Sequence, residues 1–196
     1  LLANSENPDY AGKKIDQIGN QVQRLTRLVD TQLMIVRLND ASQLNTQAVD
    51  LHYVLDVLHH DALETYGEQP TLTIDVPQDL PMLLGDGAYL RTALEQILDN
   101  AYRFTPPDGH IKLTASPSDH SIVIHIVDTG SGIAQQSLPH VFKMFWREDQ
   151  ARSTPGFGLG LAVAKKIIDL HLGKIMIQSE SEKGTDVMIT LPTQVQ

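Results

Sequence analysis

Between residues 95 and 185 the chain carries four short stretches in a fixed order, and they restrict its fold more than anything else in the sequence. They are Glu95-Gln96-Ile97-Leu98-Asp99-Asn100-Ala101-Tyr102-Arg103-Phe104-Thr105, Asp128-Thr129-Gly130-Ser131-Gly132-Ile133, Gly156-Phe157-Gly158-Leu159-Gly160-Leu161 and Gly184-Thr185. Each has a simpler reading when taken alone. Asn100 could be a capping or surface amide. Asp128-Thr129-Gly130 could be a turn after a strand. The glycines from 156 to 160 could be a flexible loop. Together they supply a metal-binding oxygen, a carboxylate for a base and glycine backbone for phosphate, which is what an adenine nucleotide needs.

The chemistry of each stretch follows from its residue types. Asn100 falls late on a helix expected from about Asp86 to Phe104, and its amide oxygen is a neutral hard ligand of the kind Mg²⁺ accepts beside phosphate oxygens and waters. Arg103 lies one turn further on the same face, within reach of a phosphate. Asp128 ends an apolar strand, Ile122 to Val127, where a fixed carboxylate can accept the adenine amino proton; guanine has no donor at that position. Gly130 and Gly132 let the backbone turn sharply beneath a flat base. Gly156, Gly158 and Gly160 lead directly into Leu161-Ala162-Val163-Ala164-Lys165-Lys166-Ile167-Ile168. A glycine loop that feeds a helix N-terminus favours an anion there. The dinucleotide pattern G-x-G-x-x-G fails, because position 161 is Leu and no clear strand precedes Gly156. No G-x-x-x-x-G-K-[ST] occurs, so a P-loop is excluded.

Periodicity gives the rest of the organisation. Asn7-Pro8-Asp9 reads as a helix start, and Ile15, Ile18, Val22, Leu25, Val29, Leu33 and Val36 then repeat at spacings of three and four. This is a bundle-forming stripe, longer than a globular domain of this size requires. Asn39 to Thr46 is polar and reads as a hinge. Gln47 to Val49 suggests a short strand, and Leu51 to Tyr66 an amphipathic helix with Leu51, Val54, Leu55, Leu58 and Leu63 on its apolar face. Thr71 to Val76 reads as a strand, Pro77 to Leu84 as a loop, and Ile111 to Ala115 with Ser121 to Val127 as a hairpin. Gly160 to His171 is a second core helix, with Ile175 to Ser179 and Asp186 to Leu191 as closing antiparallel strands. The expected fold class is α+β, a two-layer α/β sandwich with a mixed sheet and helices on one face, preceded by the long helix. Residues 131–157 lack any sustained pattern and have glycines at both ends, as a mobile lid would.

Composition sets outer bounds. At 196 residues the chain accommodates one domain and a helical extension. A formal charge of −9 argues against a nucleic-acid surface. There are no cysteines, hence no disulfides and no thiolate metal site, as fits a cytoplasmic protein. No apolar run approaches a membrane-spanning length, so no membrane contact is expected within this sequence, and no signal peptide is visible.

The four stretches resemble the conserved boxes of bacterial sensor histidine kinases of two-component systems. Gln96 to Thr105 is similar to the N box, Asp128 to Ile133 to the G1 box, Leu138 to Arg147 to the F box, Gly156 to Leu161 to the G2 box and Gly184-Thr185 to the last G box. The similarity runs from about Asp9 to Pro192. It implies a Bergerat (GHKL) fold that binds ATP and Mg²⁺ under a lid. Residues 1–40 would be the remnant of a homodimerising helical hairpin, and 41–196 the catalytic domain. The nucleotide-binding residues it implies are Asn100, Arg103, Phe104, Asp128, Gly130, Gly132, Ile133, Gly156, Gly158, Leu159, Gly160, Leu161 and Thr185. Asn100 would be the metal ligand, and the Thr185 hydroxyl would lie near the base. Phe142 and Phe145 would dock the lid, or belong with Val141, Met144 and Trp146 to a small local core. Phe104 would pack near the nucleotide or in the core.

Two departures from the family refine the expectation. Gln96 stands where the family usually has a first Asn, and where hydrolysing relatives of the fold carry a Glu. Gln cannot act as a general base, so transfer is favoured over hydrolysis. The second departure is the lack of a His-Glu/Asp-Leu-Arg-x-Pro motif; His59 and His60 read as polar helix positions. No catalytic residue is therefore assignable. Leu1-Leu2-Ala3 resembles the last turn of the acceptor helix, so the expectation is a fragment that binds ATP or ADP but cannot phosphorylate itself. The acceptor His would lie on a helix outside this sequence, and the phosphoryl group would pass on to the Asp of a response-regulator receiver domain. The alternatives are an ATPase or anti-sigma serine kinase of the same fold, or a non-catalytic dimerisation module.

Overall fold

The computed structural model describes residues 8–38, 44–148 and 156–193. The chain divides into two compact units, Leu1–Asp40 and Ala41–Gln196. The expected cap Asn7, the opening Leu1-Leu2-Ala3, positions 39–43 of the polar hinge and positions 149–155 of the irregular segment lie outside the described residues.

The first unit contains helix α1, Pro8–Arg37. Its residues Ile18, Val22, Leu25, Val29, Leu33 and Val36 are each more than half exposed. The spacing of three and four aligns them along one face, so α1 presents an uncovered apolar stripe.

The second unit is a two-layer sandwich. Its elements in order are β1 (Gln47–Val49), α2 (Leu51–Tyr66), β2 (Thr71–Asp75), β3 (Leu83–Gly85), α3 (Gly87–Phe104), β4 (His110–Ser118), β5 (Ser121–Asp128), α4 (Gly160–Leu170), β6 (Lys174–Ser179) and β7 (Thr185–Pro192). The main sheet has the order β2-β4-β5-β7-β6. β2 runs parallel to β4 and every other pairing is antiparallel. The segment expected as a loop from Pro77 to Leu84 is in part a strand. Leu83 to Gly85 pairs antiparallel with β1, a pairing of three residues too short to leave a periodic signal.

Strand alternation decides which side chains meet the helices. Ile111, Leu113 and Ala115 of β4, Ile122, Ile124 and Ile126 of β5, and Val187, Ile189 and Leu191 of β7 are all buried. They face Leu90, Ala93, Leu94, Ile97, Leu98 and Ala101 of α3 and Ala162, Val163, Ala164, Ile167 and Ile168 of α4, which pack side by side. On α2 the buried positions are Leu51, Val54, Leu55, Leu58 and Ala62, while Leu63 is 41% exposed; the small Ala62 takes the place in the core expected for Leu63.

One buried polar knot joins the ends of α3 and α4. Asp86 caps α3 by accepting from the N–H groups of Ala88 and Tyr89, and its second oxygen accepts from Asn45 N–H. The Asp86 N–H donates to His171 Nε2 at 2.9 Å, and His171 Nδ1 donates to the Ile167 carbonyl at 2.8 Å. This histidine satisfies two buried backbone groups and fixes its own tautomer. His171→Ala leaves both groups unpaired and is expected to cost about 2–4 kcal/mol of stability, read as a lower urea midpoint with an unchanged slope; a midpoint equal to the parent's would contradict this role.

Candidate nucleotide site

Asp128 is the next inward position after Ile122, Ile124 and Ile126, so the period of two buries a carboxylate at the end of an isoleucine stripe; only 8% of it is exposed. Its Oδ1 accepts from Gly130 N–H at 2.8 Å. Burial pushes its pKa up, and hydrogen bonds from the backbone N–H groups of Gly130 and Thr185 oppose that shift without cancelling it. The turn that follows is fixed from both sides. Ser131 N–H donates to the Phe104 carbonyl at 3.1 Å, which ties the turn to the end of α3. Gly184 (φ +87°) lies so close to Asp128 that a Cβ there would meet the Asp128 carbonyl at 1.9 Å. No other residue fits that position without displacing the strand end.

Ser179 completes this end of the site. Its Oγ accepts from Ile133 N–H at 2.8 Å, donates to the Gly184 carbonyl at 2.7 Å and lies 3.0 Å from Thr185 Oγ1. One hydroxyl thus clamps the segments that hold Gly132, Ile133, Gly184 and Thr185. Phe104 lies at the junction of α3 with this turn and is 37% exposed as a residue, which does not fit a core aromatic.

The second group of residues lies where α3 meets the start of α4. Gln96, Asn100 and Arg103 share one face of α3 at spacings of four and three. Asn100 Nδ2 donates to the Gln96 carbonyl at 3.1 Å, which orients the amide and leaves its oxygen for another partner. A Cβ on Gly160 would lie 2.8 Å from Gln96 Oε1 and 3.7 Å from Asn100 Nδ2, so the first turn of α4 abuts both amides. α4 begins at Gly160 after Leu159, whose side chain has no oxygen to cap the first turn, so the N-cap residue leaves the leading N–H groups of α4 to other partners. The Leu159 side chain is buried, and the contribution of this residue to a ligand would be through its backbone. Gly158 (φ +68°) accepts from Phe145 N–H at 2.8 Å and has the Trp146 carbonyl 2.4 Å from where a Cβ would lie. This left-handed glycine fastens the aromatic segment to the glycine loop. Arg103 packs against Gly156, and Arg147 Nη1 donates to the Gly156 carbonyl at 2.8 Å.

The local-core reading holds for buried Val141, but Met144 and Phe145 are 47% and 60% exposed. Among the described residues no group of three or more His, Asp or Glu could hold a metal. A divalent cation at Asn100 would therefore depend on oxygens of a bound ligand. Sequence reasoning missed Ser179, His171, Tyr66 and Asp99; the bonds Ile133–Ser179, Asp86–His171 and Tyr66–Asp99 join segments far apart in the chain, and only the Asp99–Arg103 spacing of four leaves a local trace.

The pH behaviour of the buried carboxylate follows from its shift. In its ionised form Asp128 can accept from an amino group, and burial makes it take up a proton at a higher pH than an ordinary carboxylate would. Affinity for adenosine, which has no phosphate to titrate, is expected to fall as the pH drops through that raised pKa, earlier than an ordinary carboxylate would allow. In the same window the unfolded chain is already ionised, so the Asp128 contribution to stability declines as pH rises. Titration calorimetry across pH checks the first point, and a flat profile would refute it.

Comparison with known proteins gives the family. Residues 85–195 match the family described as histidine kinase-, DNA gyrase B-, and HSP90-like ATPase. The adaptive-response sensory kinase SasA of Synechococcus elongatus is 35% identical over 183 residues, covering 90% of this chain and 46% of the kinase. The chain thus spans about half the length of the curated relatives it matches. Among solved structures, full-length ShkA in complex with AMPPNP has a TM-score of 0.79 at 25% identity, over 94% of this chain and 39% of that one. The mycobacterial sensor histidine kinase MprB has a TM-score of 0.66 at 28% identity, over 77% of this chain and 99% of that one. With more than half of its length inside the matched range, the chain belongs to the histidine kinase-, DNA gyrase B-, and HSP90-like ATPase family, as an ATP-binding domain whose relatives are sensor histidine kinases.

Proposed function

We propose that this chain is the catalytic region of a sensor histidine kinase, which directs the γ-phosphoryl group of ATP to a histidine on a helix outside this sequence. The observation that carries the reading is the pairing of a buried carboxylate, Asp128, at the turn tied to the end of α3, with a helix N-terminus at Gly160 that has no side-chain cap and abuts Gln96 and Asn100 of α3. Asp128 accepts the adenine amino proton. Gly130, Gly132 and Ile133 shape the floor beneath the base, with the Thr185 hydroxyl beside it. Gly158, Leu159, Gly160 and Leu161 offer backbone N–H groups to phosphate oxygens, and Arg103 adds a guanidinium. The Asn100 oxygen would hold Mg²⁺, which when bound would supply neutralisation of phosphate charge. Phosphoryl transfer of this kind relies on positioning and charge neutralisation more than on covalent chemistry by the protein.

Gln96 disfavours hydrolysis. Its amide abuts Gly160, where a carboxylate could activate water, and an amide cannot take a proton. None of the eight histidines lies in an acceptor motif; His60 is an exposed partner of Glu64 on α2. The phosphoryl group then passes from the external histidine to a receiver-domain aspartate. Such chemistry belongs to the cytoplasm, where ATP is available. No helix among the described residues is long and apolar enough to cross a membrane.

The exposed stripe on α1 fits a helical bundle shared with a second copy, which would cover Ile18, Val22, Leu25 and Val29. This homodimer is the second element of the reading.

Two experiments test these assignments. Asp128→Ala removes a charge-assisted hydrogen bond of about 1.5–3 kcal/mol, so ADP affinity is expected to fall by roughly ten- to a hundredfold in titration calorimetry; unchanged affinity would remove the base-recognition role. Leu25→Glu combined with Val29→Glu is expected to shift sedimentation toward the monomer while ADP affinity stays at the parent value. Sedimentation identical to that of the parent chain would contradict pairing through α1.

A further inference from the structure

Arg103 is held by a chain of contacts that begins on another helix. Its Nη2 donates to Asp99 Oδ2, one turn back on α3. Its Nη1 lies against Gly156, 2.5 Å from where a Cβ would be. The other oxygen of Asp99 accepts from Tyr66 Oη, at the end of α2, over 2.6 Å. The Tyr66 ring stacks on Tyr102, with centroids 4.2 Å apart and planes 10° from parallel. Tyr102 is itself 94% buried by its 6% exposure, so the stack gives the Tyr66 ring a fixed platform. Burial, and then the Asp99 hydrogen bond, push the Tyr66 phenol up, so it remains a donor at any physiological pH.

An Asp–Arg pair one turn apart on a helix surface is weak and leaves the arginine many rotamers. Tyr66 changes that. With one oxygen tied to a stacked phenol, the Asp99 carboxylate points its other oxygen in one direction. A planar guanidinium that meets this oxygen has its plane and remaining donors set as well. Arg103 is only 26% exposed and Asp99 39%, so solvent competes less for this pair than for a free surface pair.

We infer that Tyr66 and Asp99 are positioning residues: they fix the Arg103 guanidinium at the glycine loop for contact with the phosphates of a bound nucleotide. The inference rests on the proposed role of Arg103 as a phosphate contact. Neither Tyr66 nor Asp99 touches the nucleotide in this scheme. Because Asp99 offsets the charge of Arg103, the guanidinium acts through the direction of its donors more than through net charge.

The test is the ratio of ATP affinity to adenosine affinity, measured by titration calorimetry on the whole chain. Tyr66→Phe keeps the ring and the stack and removes only the hydroxyl. It is expected to weaken ATP about three- to tenfold and to leave adenosine unchanged. Asp99→Asn, which can still accept from Tyr66 but loses its charge, is expected to lower the ratio at least as far. In an Arg103→Ala background Tyr66→Phe is expected to have no further effect on the ratio. A tyrosine with only a structural role would weaken both ligands alike, or act equally in both backgrounds, and either result overturns the inference. If Arg103→Ala alone leaves the ratio unmoved, the phosphate role of Arg103 falls and the positioning role falls with it. If Arg103→Ala lowers the ratio while Tyr66→Phe and Asp99→Asn do not, only the positioning role falls.

Discussion

A carboxylate at the end of an apolar stripe is the constraint around which the domain is arranged. Asp128 continues the inward series of three isoleucines on β5, so the same alternation that builds the core forces a charge out of water. A buried carboxylate costs several kcal/mol unless donors satisfy it. Backbone N–H groups of Gly130 and Thr185 do so in part, and the raised pKa shows that the compensation is incomplete. What remains is an acceptor that favours a ligand donor, in a turn packed against Gly184 and tied to the Phe104 carbonyl.

α3 connects the Asp128 turn to the glycine loop, the two ends of the proposed nucleotide site. Its inward face packs on the sheet and α4, its C-terminal carbonyl anchors the turn after Asp128, and its remaining face carries Gln96, Asn100 and Arg103. The polar knot of Asp86 and His171 fixes where α3 begins and where α4 ends. The Tyr66–Asp99 contact then ties the C-terminal half of α3 to α2. In the proposed reading, one helix thereby sets the separation of the base and phosphate subsites, as recognition of a nucleotide as a single unit requires.

Much of this was legible in the sequence, for local reasons. The helix carrying Asn100, the strand ending at Asp128 and the glycine-led helix at Gly160 are each defined by periodicity and by residues that act on their own backbone. The strand at Leu83–Gly85 was hidden because its pairing with Gln47–Val49 spans the whole of α2. Ala62 enters the core and Leu63 does not because Ala62 continues the face of Leu51, Val54, Leu55 and Leu58, while Leu63 lies about 100° further round the helix. Ser179, His171 and Tyr66 were illegible for a common reason: a hydroxyl or imidazole acquires its role only when a distant segment arrives beside it. The long helix α1 was clear from its stripe, while the occupant of that stripe depends on a second chain.

The most direct measurement is titration calorimetry of this chain with ADP and GDP, each with and without Mg²⁺. ADP binding that strengthens with Mg²⁺, with GDP at least about tenfold weaker because its O6 is an acceptor facing Asp128, is the predicted result. Equal binding of the two nucleotides, or binding of neither, would contradict the assignment of Asp128, Asn100 and the glycine loop to one adenine-nucleotide site.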